Sequence, residues 1–562
     1  MNYKTYSYSR RQTTPVHVGP VTIGGPHHIV VQSMANVDTN DTDQSVRQAI
    51  SIANVGGELV RFTTQGVREA KALGTTRSRL SDEGYHFPLV ADVHFNPKAA
   101  YEAAKYVEKV RINPGNFYDP KHTFQHLNYT DSEYAKEVDA LQQSFGDFLD
   151  HCIAHQTAIR IGVNHGSLSD RIMSHYGDTP EGMVASCLEY LEVCQAKNFS
   201  DVVLSIKSSN TVTMTNTVRL LVEEMDKRGM SYPLHLGVTE AGDGEDGRLK
   251  SAVGIGSLLA DGLGDTIRVS LSEPPEEEIP VAKLLVQLTE GLSMAPEIRV
   301  PGPYRTPIRS TETPLVLLDD APELSNLRRE EQPDYVITNG GKSGLPILCE
   351  EELFIVSDEQ AIRMSDFPTD KRIVVCLTHP ATPIMLKALD EHMTAPYILQ
   401  LICNAPHSEA SVRLGYSLGG ALLRGQASGI WIKSNVLTPR ELAHISFGIL
   451  QASRRRISKT EFISCPGCGR TLFDLQDTVA RVKAATWHLN GLKIGIMGCI
   501  VNGPGEMADA DYGYVGSSPG KVDLYKSKER VAKNIPQEQA VKSLVELIKQ
   551  NNDWTEAPKQ DD

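Results

Sequence analysis

Three of the nine cysteines fall in one C-terminal region, and two of them are separated by only two residues, Cys465-Pro466-Gly467-Cys468. That gap lets both sulfurs reach one metal centre. The third, Cys499, lies 31 residues further on, in the run Gly498-Cys-Ile-Val-Asn-Gly-Pro-Gly-Glu506. Glycines and a proline there keep the backbone close to whatever the sulfur binds. No fourth cysteine follows, and Glu506 is the nearest anionic candidate. A structural zinc site is normally closed by a fourth Cys or a His. Three thiolates and a carboxylate instead suit a [4Fe–4S] cluster whose fourth iron keeps a hard, exchangeable ligand. On spacing alone both readings stay open. The other six cysteines are scattered and read as apolar packing residues.

A second set of chemical groups lies in the first half of the chain. Short β-rich runs there carry a polar or charged residue near the C-terminal end. These residues are Ser33 and Asn36, Arg61, Asp92 with His94, Arg111 with Asn113, Arg160 with Asn164, Lys207, Glu240, and Arg268 with Ser270. Five of them are cations from five different runs. If one rim collects them, they converge on a multiply charged anion, and arginine forks pair two-point with phosphate oxygens. A phosphate or diphosphate substrate is the natural inference. Asp92 and His94 share a strand face by period-two spacing. Without a third ligand at matching spacing they read as substrate-orienting groups, not a metal site. Glu240 is the lone carboxylate among the rim cations, a candidate general acid or base.

The elements that must position these groups follow from the pattern of runs. Ile29–Met34, Leu59–Thr64, Leu89–His94, Lys109–Asn113, Ala158–Asn164, Val202–Lys207, Leu234–Glu240 and Thr266–Ser270 alternate with helix-like stretches such as Asp43–Val55 and Pro180–Lys197. Eight strands, each followed by a helix, predict a (β/α)8 TIM-type barrel, whose chemistry sits at the C-terminal mouth. The rival, an open doubly wound sheet, usually carries a Gly-rich first turn; here Gly24-Gly25-Pro26 precedes the first strand instead.

From about Glu297 the composition shifts. Pro301, Pro303, Pro307 and Pro314 read as a linker, and five more strand-like runs follow: Tyr335–Thr338, Leu353–Val356, Ile373–Thr378, Tyr397–Ile402 and Gly429–Ile432. This second α/β unit carries a weak repeat of the barrel at an offset of 163 residues, with Gly256, Leu259, Gly262 and Ile267 recurring as Gly419, Leu422, Gly425 and Ile430. Trp431 then stands where the barrel has Arg268. Three domains are expected: a barrel over 1–295, an inserted structural α/β domain over 296–440 and a metal-binding α/β domain over 441–562.

Composition limits the partners. The 562 residues carry 56 Lys and Arg against 70 Asp and Glu, a net charge of −14. That argues against a general nucleic-acid or membrane-surface binder. No run approaches the roughly 18 apolar residues of a spanning helix. A soluble, cytoplasmic protein with reduced thiols is expected, with a polar, frayed tail from Asn551.

The motifs together resemble a known family. Val31-Gln-Ser-Met34, Ala91-Asp-Val-His-Phe95, Val110-Arg-Ile-Asn-Pro-Gly-Asn116, Ile159-Arg-Ile-Gly-Val-Asn164, Gly237-Val-Thr-Glu-Ala-Gly242, Gly262-Leu-Gly-Asp-Thr-Ile-Arg268 and Gly498–Glu506 are similar to those of the 4-hydroxy-3-methylbut-2-enyl diphosphate synthases. The likeness covers roughly residues 10–290 and 440–540. The middle segment resembles the insert of the longer, three-domain members. The resemblance implies reductive ring opening and dehydration of 2-C-methyl-D-erythritol 2,4-cyclodiphosphate in isoprenoid precursor synthesis. Electrons would come from ferredoxin or flavodoxin through a [4Fe–4S] cluster. It implies Cys465, Cys468, Cys499 and Glu506 as cluster ligands. Arg61, Arg111, Arg160, Lys207, Arg268 and Ser270 become diphosphate-binding residues, and Asp92, His94, Asn113, Asn164 and Glu240 other pocket residues. In two-domain relatives the cap comes from the partner of a homodimer; the insert also allows closure within one chain. The reading from another class is a non-redox phosphate-binding barrel, a lyase or transferase, with a structural zinc module.

Overall fold

A computed structural model describes residues 3–118, 128–302, 309–338, 343–500, 503–507 and 509–557. The chain divides into two compact units. One comprises Arg11–Asp243, Gly264–Lys283 and Glu461–Asp562; the other Met1–Arg10, Gly244–Leu263 and Leu284–Thr460.

In the first unit eight parallel strands follow one another around a ring: β1 (Val30–Met34), β2 (Leu59–Thr64), β3 (Leu89–Val93), β4 (Lys109–Ile112), β5 (Ala158–Asn164), β6 (Val202–Lys207), β7 (His235–Leu236) and β8 (Thr266–Ile267). β8 returns to pair with β1, and a bridge between Leu204 and Leu234 joins β6 to the start of β7. The expected (β/α)8 barrel is therefore present. β7 and β8 are shorter than their apolar runs because the chain leaves the ladder early, and Glu240 turns at a φ of 48°.

Period-two alternation sets what each strand puts inside. Val30, Leu59, Val90, Ala158 and Val203 form an apolar floor with the hairpin Val16–Val18/Val21–Ile23. Two residues further along the same faces stand Gln32, Arg61, Asp92, Arg160 and Ser205, all buried. The floor keeps water out from below, and the polar residues face the C-terminal mouth. Helix caps are local: Asp41 accepts from Gln44, Thr179 from Gly182, and Asn210 from Val212 and Thr213.

The same unit holds a five-stranded sheet in the order Glu461–Ser464, Lys493–Met497, Tyr512–Ser518, Lys521–Lys526, Glu529–Pro536; the first three strands are parallel. The helices Leu475–Thr486 and Gln537–Gln550 bury Val479, Val482, Leu544 and Ile548 against Ile494, Ile496, Tyr512 and Tyr514. The tail is not frayed where it is described. The Tyr512 hydroxyl donates to Asp553 at 2.6 Å, the His488 ring meets Trp554 edge-on at 4.9 Å, and His488 Nε2 lies 2.9 Å from the Thr555 carbonyl oxygen.

In the other unit seven parallel strands run in the spatial order Ile347–Cys349, Tyr335–Thr338, Leu315–Asp319, Gly429–Lys433, Tyr397–Ile402, Arg372–Leu377, Leu353–Ser357. All five strand-like runs of this region are strands. The last strand in sequence returns to the first, as in a barrel; among the described residues only the step from Ile347–Cys349 to Leu353–Ser357 lacks a ladder. The repeat at offset 163 has a structural counterpart: helix Gly244–Ala260 corresponds to helix His407–Leu423 end for end, and Thr266–Ile267 to the start of Gly429–Lys433. The two helices pack closely, with Gly256 under Tyr416 and Gly419 against Val253. Trp431 is buried in its sheet's core and donates to Asp319 at 3.1 Å. The proline-rich stretch is not all linker, because Ile298–Pro301 pairs antiparallel with Tyr3–Tyr6. Pro303 and Pro307 lie outside the described residues.

Within the first unit, the barrel and the C-terminal sheet meet backbone to backbone. A Cβ on Gly166, where φ is +77°, would lie 2.1 Å from the Gly505 carbonyl oxygen. On Gly177, where φ is +71°, the nearest atom would be 3.6 Å away. Both alanine substitutions place a side chain at positive φ, a strain of roughly 1–3 kcal/mol. Gly166→Ala should add a steric cost, lower the urea midpoint further and speed protease cleavage within 461–557. Equal losses in the two variants would contradict the contact.

Candidate active site

Each barrel group is placed by where its strand ends. Arg111 on β4 donates to Asp92 Oδ1 at 3.0 Å, to the Gly162 carbonyl at 2.9 Å and to Asn164 Oδ1 at 3.1 Å, and it also contacts His94 Nε2. Arg61 points to the Met34 sulfur at 2.9 Å and sits 3.9 Å from Asp92; Arg160 is 4.0 Å from Asp92. Arg268 is held two-point by Glu278, at 2.7 and 3.0 Å, and Ser33 donates to the same carboxylate at 2.6 Å. Nε and Nη1 of Arg160 are buried with no protein partner.

Cation crowding sets the electrostatics. Burial alone would raise the Asp92 carboxyl, but Arg111 and Arg61 hold it well below the usual carboxylate range. Burial, then Arg111, pulls His94 down to about 3, so its ring is neutral. Burial lowers Arg61 to about 10, and burial with the neighbouring arginines lowers Lys207 well below its ordinary value. Glu240 goes the other way: burial, then Glu506, raises it well above the carboxylate range, so it holds a proton.

The C-terminal sheet supplies the opposite wall. Cys465 follows the strand Glu461–Ser464 directly, and Cys499 lies two residues past Lys493–Met497, at neighbouring ends of two paired parallel strands. The Gly498 N–H donates to Cys465 Sγ at 3.2 Å, and the Cys468 N–H donates to Thr471 Oγ1 at 3.0 Å. Burial pushes the Cys465 thiol up, with the Gly498 N–H acting in the opposite sense. Ser272 of the barrel donates to the Cys465 carbonyl at 2.9 Å, and Ala241 bridges to Ser464. Glu506 comes from the turn Gly503–Glu506 and accepts from Asn164 Nδ2 at 2.6 Å. Val501 and Asn502 of that motif lie outside the described residues.

A cavity lies between the walls. Its lining brings together Arg61, Asp92, His94, Arg111, Arg160, Asn164, Lys207, Glu240, Arg268 and Ser270 with Cys465, Cys468, Cys499 and Glu506. Both walls come from one chain. Among the described residues, no group of three or more His, Cys, Asp or Glu stands close enough together to hold a metal ion; the thiols share the wall without converging. Asn113 is not among the lining residues. It is a helix N-cap that accepts from Gly115 and donates to Ser167.

Met34, Thr239, Met497 and Arg470 also line the cavity and escaped the sequence reading. Arg470 had a signal, a charged residue two positions after Cys468 in a glycine-rich loop. Glu278, the anchor of Arg268, had none, since it sits in the polar run Glu276-Glu277-Glu278.

Fold and cavity together define a (β/α)8-barrel protein with an anion-receptive mouth facing a thiol-bearing wall. Residues 13–283 match the GcpE TIM-barrel domain and residues 461–550 the GcpE protein C-terminal domain. The chain is 48% identical to 4-hydroxy-3-methylbut-2-en-1-yl diphosphate synthase (flavodoxin) of Phocaeicola vulgatus, over 98% of this chain and 99% of that protein. It is 49% identical to the proteins of the same name from Parabacteroides distasonis and Porphyromonas gingivalis, each over 98% of this chain and 99% of the relative. The chain belongs to this GcpE family of 4-hydroxy-3-methylbut-2-en-1-yl diphosphate synthases. No helix among the described residues is long and apolar enough to cross a membrane.

Glu278 offers a direct test of how the rim is held. Glu278→Ala strands a buried guanidinium and should cost about 3–5 kcal/mol in urea unfolding. Adding Arg268→Met should recover most of that loss. A single variant as stable as the parent would contradict the ion pair.

Proposed function

We propose that this cavity is where the chain carries out the reductive ring opening and dehydration of 2-C-methyl-D-erythritol 2,4-cyclodiphosphate to 4-hydroxy-3-methylbut-2-enyl diphosphate. The observation that carries the proposal is the charge balance of the mouth. Arg61, Arg111, Arg160, Lys207 and Arg268 are buried in the barrel mouth, where the barrel supplies Asp92 as an ionised carboxylate and Glu240 as a protonated one, and Glu506 belongs to the facing wall. Such a site needs an anion, and a diphosphate supplies it. Its arrival would favour the charged form of Lys207 and give Arg160 the oxygen partners it lacks. Ser270 and Asn164 add hydrogen bonds.

The ligand types on the opposite wall suit a [4Fe–4S] cluster, which would draw its thiols together. Three soft thiols and a carboxylate suit iron–sulfur ligation. A buried thiol whose pKa is raised becomes a thiolate when metal binds it. Cys465, Cys468, Cys499 and Glu506 would hold the cluster, with Glu506 as the exchangeable ligand. Bound there, it supplies electrons one at a time. Flavodoxin, named in the relatives, or ferredoxin is the donor, in a cytoplasmic setting.

Breaking the ring C–O bond and releasing a hydroxyl as water takes up two electrons and two protons. Glu240 holds a proton at its carboxyl beside Glu506 and is placed to give it. Neutral His94 and ionised Asp92 orient the substrate and fix Arg111. The apolar floor and the C-terminal wall exclude water. In this reading residues 1–295 bind the diphosphate, 441–562 carry the cluster, and 296–440 are a structural α/β domain. Lining residues of both cavity walls come from this one chain, which supports closure within one chain. A non-redox barrel with a zinc module is not favoured, since near-full-length relatives bear the synthase name.

Anaerobically purified protein should be brown, and Cys499→Ser should be iron-poor and inactive. Arg160→Ala should keep the visible spectrum and weaken substrate binding by about 2–5 kcal/mol, the scale for losing one partner of a buried charge pair. Full iron and activity in Cys499→Ser, or unchanged affinity in Arg160→Ala, would overturn the assignment.

A further inference from the structure

The turn that carries Glu506 is gripped from two sides. On the barrel side Asn164 donates to Glu506 Oε1 at 2.6 Å, Gly166 closes on Gly505, and Ser209 Oγ donates to the Glu506 carbonyl at 3.4 Å. On the sheet side the grip is the next residue, Met507, which is 1% exposed. Its N–H closes the turn on the Gly503 carbonyl at 3.0 Å, and its own carbonyl accepts from the Ala510 N–H at 2.8 Å. Its side chain enters a slot between two glycines, Gly495 and Gly513, which are register partners on the adjacent strands Lys493–Met497 and Tyr512–Ser518. A Cβ on Gly495 would lie 2.8 Å from Met507 Cβ, and one on Gly513 would lie 2.6 Å from Met507 Cε. Glycine inside a strand weakens it and marks a place where something approaches closely. Here Met507 is what approaches, and its unbranched chain suits so narrow a slot.

The slot belongs to a small core of Ile463, Met497, Met507, Ala510, Val515 and Tyr525, against which Cys465 packs. Ile463 stands two residues before Cys465, and Met497 two before Cys499. One block of side chains thus joins the strand ends that lead to two cysteines and the turn that presents Glu506. Resting on the reading of Glu506 as the exchangeable ligand, we propose that Met507 is a positioning residue of the active site. It sets where the Glu506 carboxylate stands relative to Cys465 and Cys499, and the paired glycines are its socket. A carboxylate that must be displaced and return needs its backbone held while its side chain moves. Asn164 holds only the carboxylate; Met507 holds the backbone.

The test begins with Glu506→Gln, which should lower kcat. A parent-like kcat in that variant would overturn the reading of Glu506, and this proposal with it, before Met507 is altered. Met507→Ala is then compared with the parent as anaerobic, cluster-loaded full-length protein, by hydrogen–deuterium exchange and by steady-state kinetics. Exchange over residues 503–507 should be about tenfold faster, with Glu461–Ser464 and Lys521–Lys526 unchanged, because the loss of an anchor is local. Iron content and KM should stay near the parent's. The kcat should fall by roughly tenfold to a hundredfold, the scale for misplacing a reacting group by about 1 Å. Adding Met507→Ala to Glu506→Gln should cost no further activity, since both act through one carboxylate. Losses that multiply in the double variant would make Met507 an ordinary packing residue and overturn the proposal. So would parent-like exchange over 503–507, or an undiminished kcat, in Met507→Ala. If Met507→Ala does not fold, Gly513→Ala displaces the tip of the same side chain while leaving Met507 in the sequence. Faster exchange over 503–507 in that variant supports the anchor, and unaltered exchange overturns it.

Discussion

Asp92 is the interaction on which the barrel mouth depends. One carboxylate, 4% exposed, has Arg111 at 3.0 Å, Arg61 at 3.9 Å and Arg160 at 4.0 Å. Like charges so close together in a poorly hydrated interior repel strongly. Asp92 makes the cluster of cations tolerable without neutralising it, and in the proposed function the remaining positive charge is what receives the diphosphate. Glu278 does the same for Arg268 alone. The rest of the mouth follows: burial, and then Arg111, keeps His94 neutral, and burial, and then the neighbouring arginines, holds Lys207 far below its ordinary pKa.

The opposite wall inverts this logic. There the groups that would become negative are the sulfurs, and the Gly498 N–H donates to one of them, Cys465. The cavity thus pairs a positive half from the barrel with a sulfur half from the C-terminal sheet. Glu506 joins them through Asn164 and sits beside a protonated Glu240. In the proposed function, a substrate that brings two phosphates and needs protons and electrons would meet each requirement from a different side.

Much of this was legible in the sequence because it rests on periodicity and local chemistry. Alternation marked all eight barrel strands, and period two put Asp92 and His94 on one face. Cys465 and Cys468 declared themselves by spacing. The offset of 163 residues was a weak pattern in the letters, yet it relates two helices of equal length that pack on each other. What was missed depends on long-range partners. Glu278 looks like one of three consecutive surface glutamates until Arg268 is seen against it. Asn113 sits at a strand end like its neighbours, but its side chain is used in capping the next turn. The tail is polar, and Trp554 gains its anchor only from His488, far away in sequence. Tyr3–Tyr6 likewise becomes a strand only by pairing with Ile298–Pro301.

The central claim is that the cyclic diphosphate lies between the barrel cations and an iron–sulfur cluster on the facing wall. The most direct measurement is a crystal structure of anaerobically prepared protein with substrate, using anomalous scattering at the iron edge. The account predicts four iron positions beside Cys465, Cys468 and Cys499, with both phosphorus atoms among Arg111, Arg160, Lys207 and Arg268. A single zinc at the cysteines, or phosphates bound away from these cations, would contradict it.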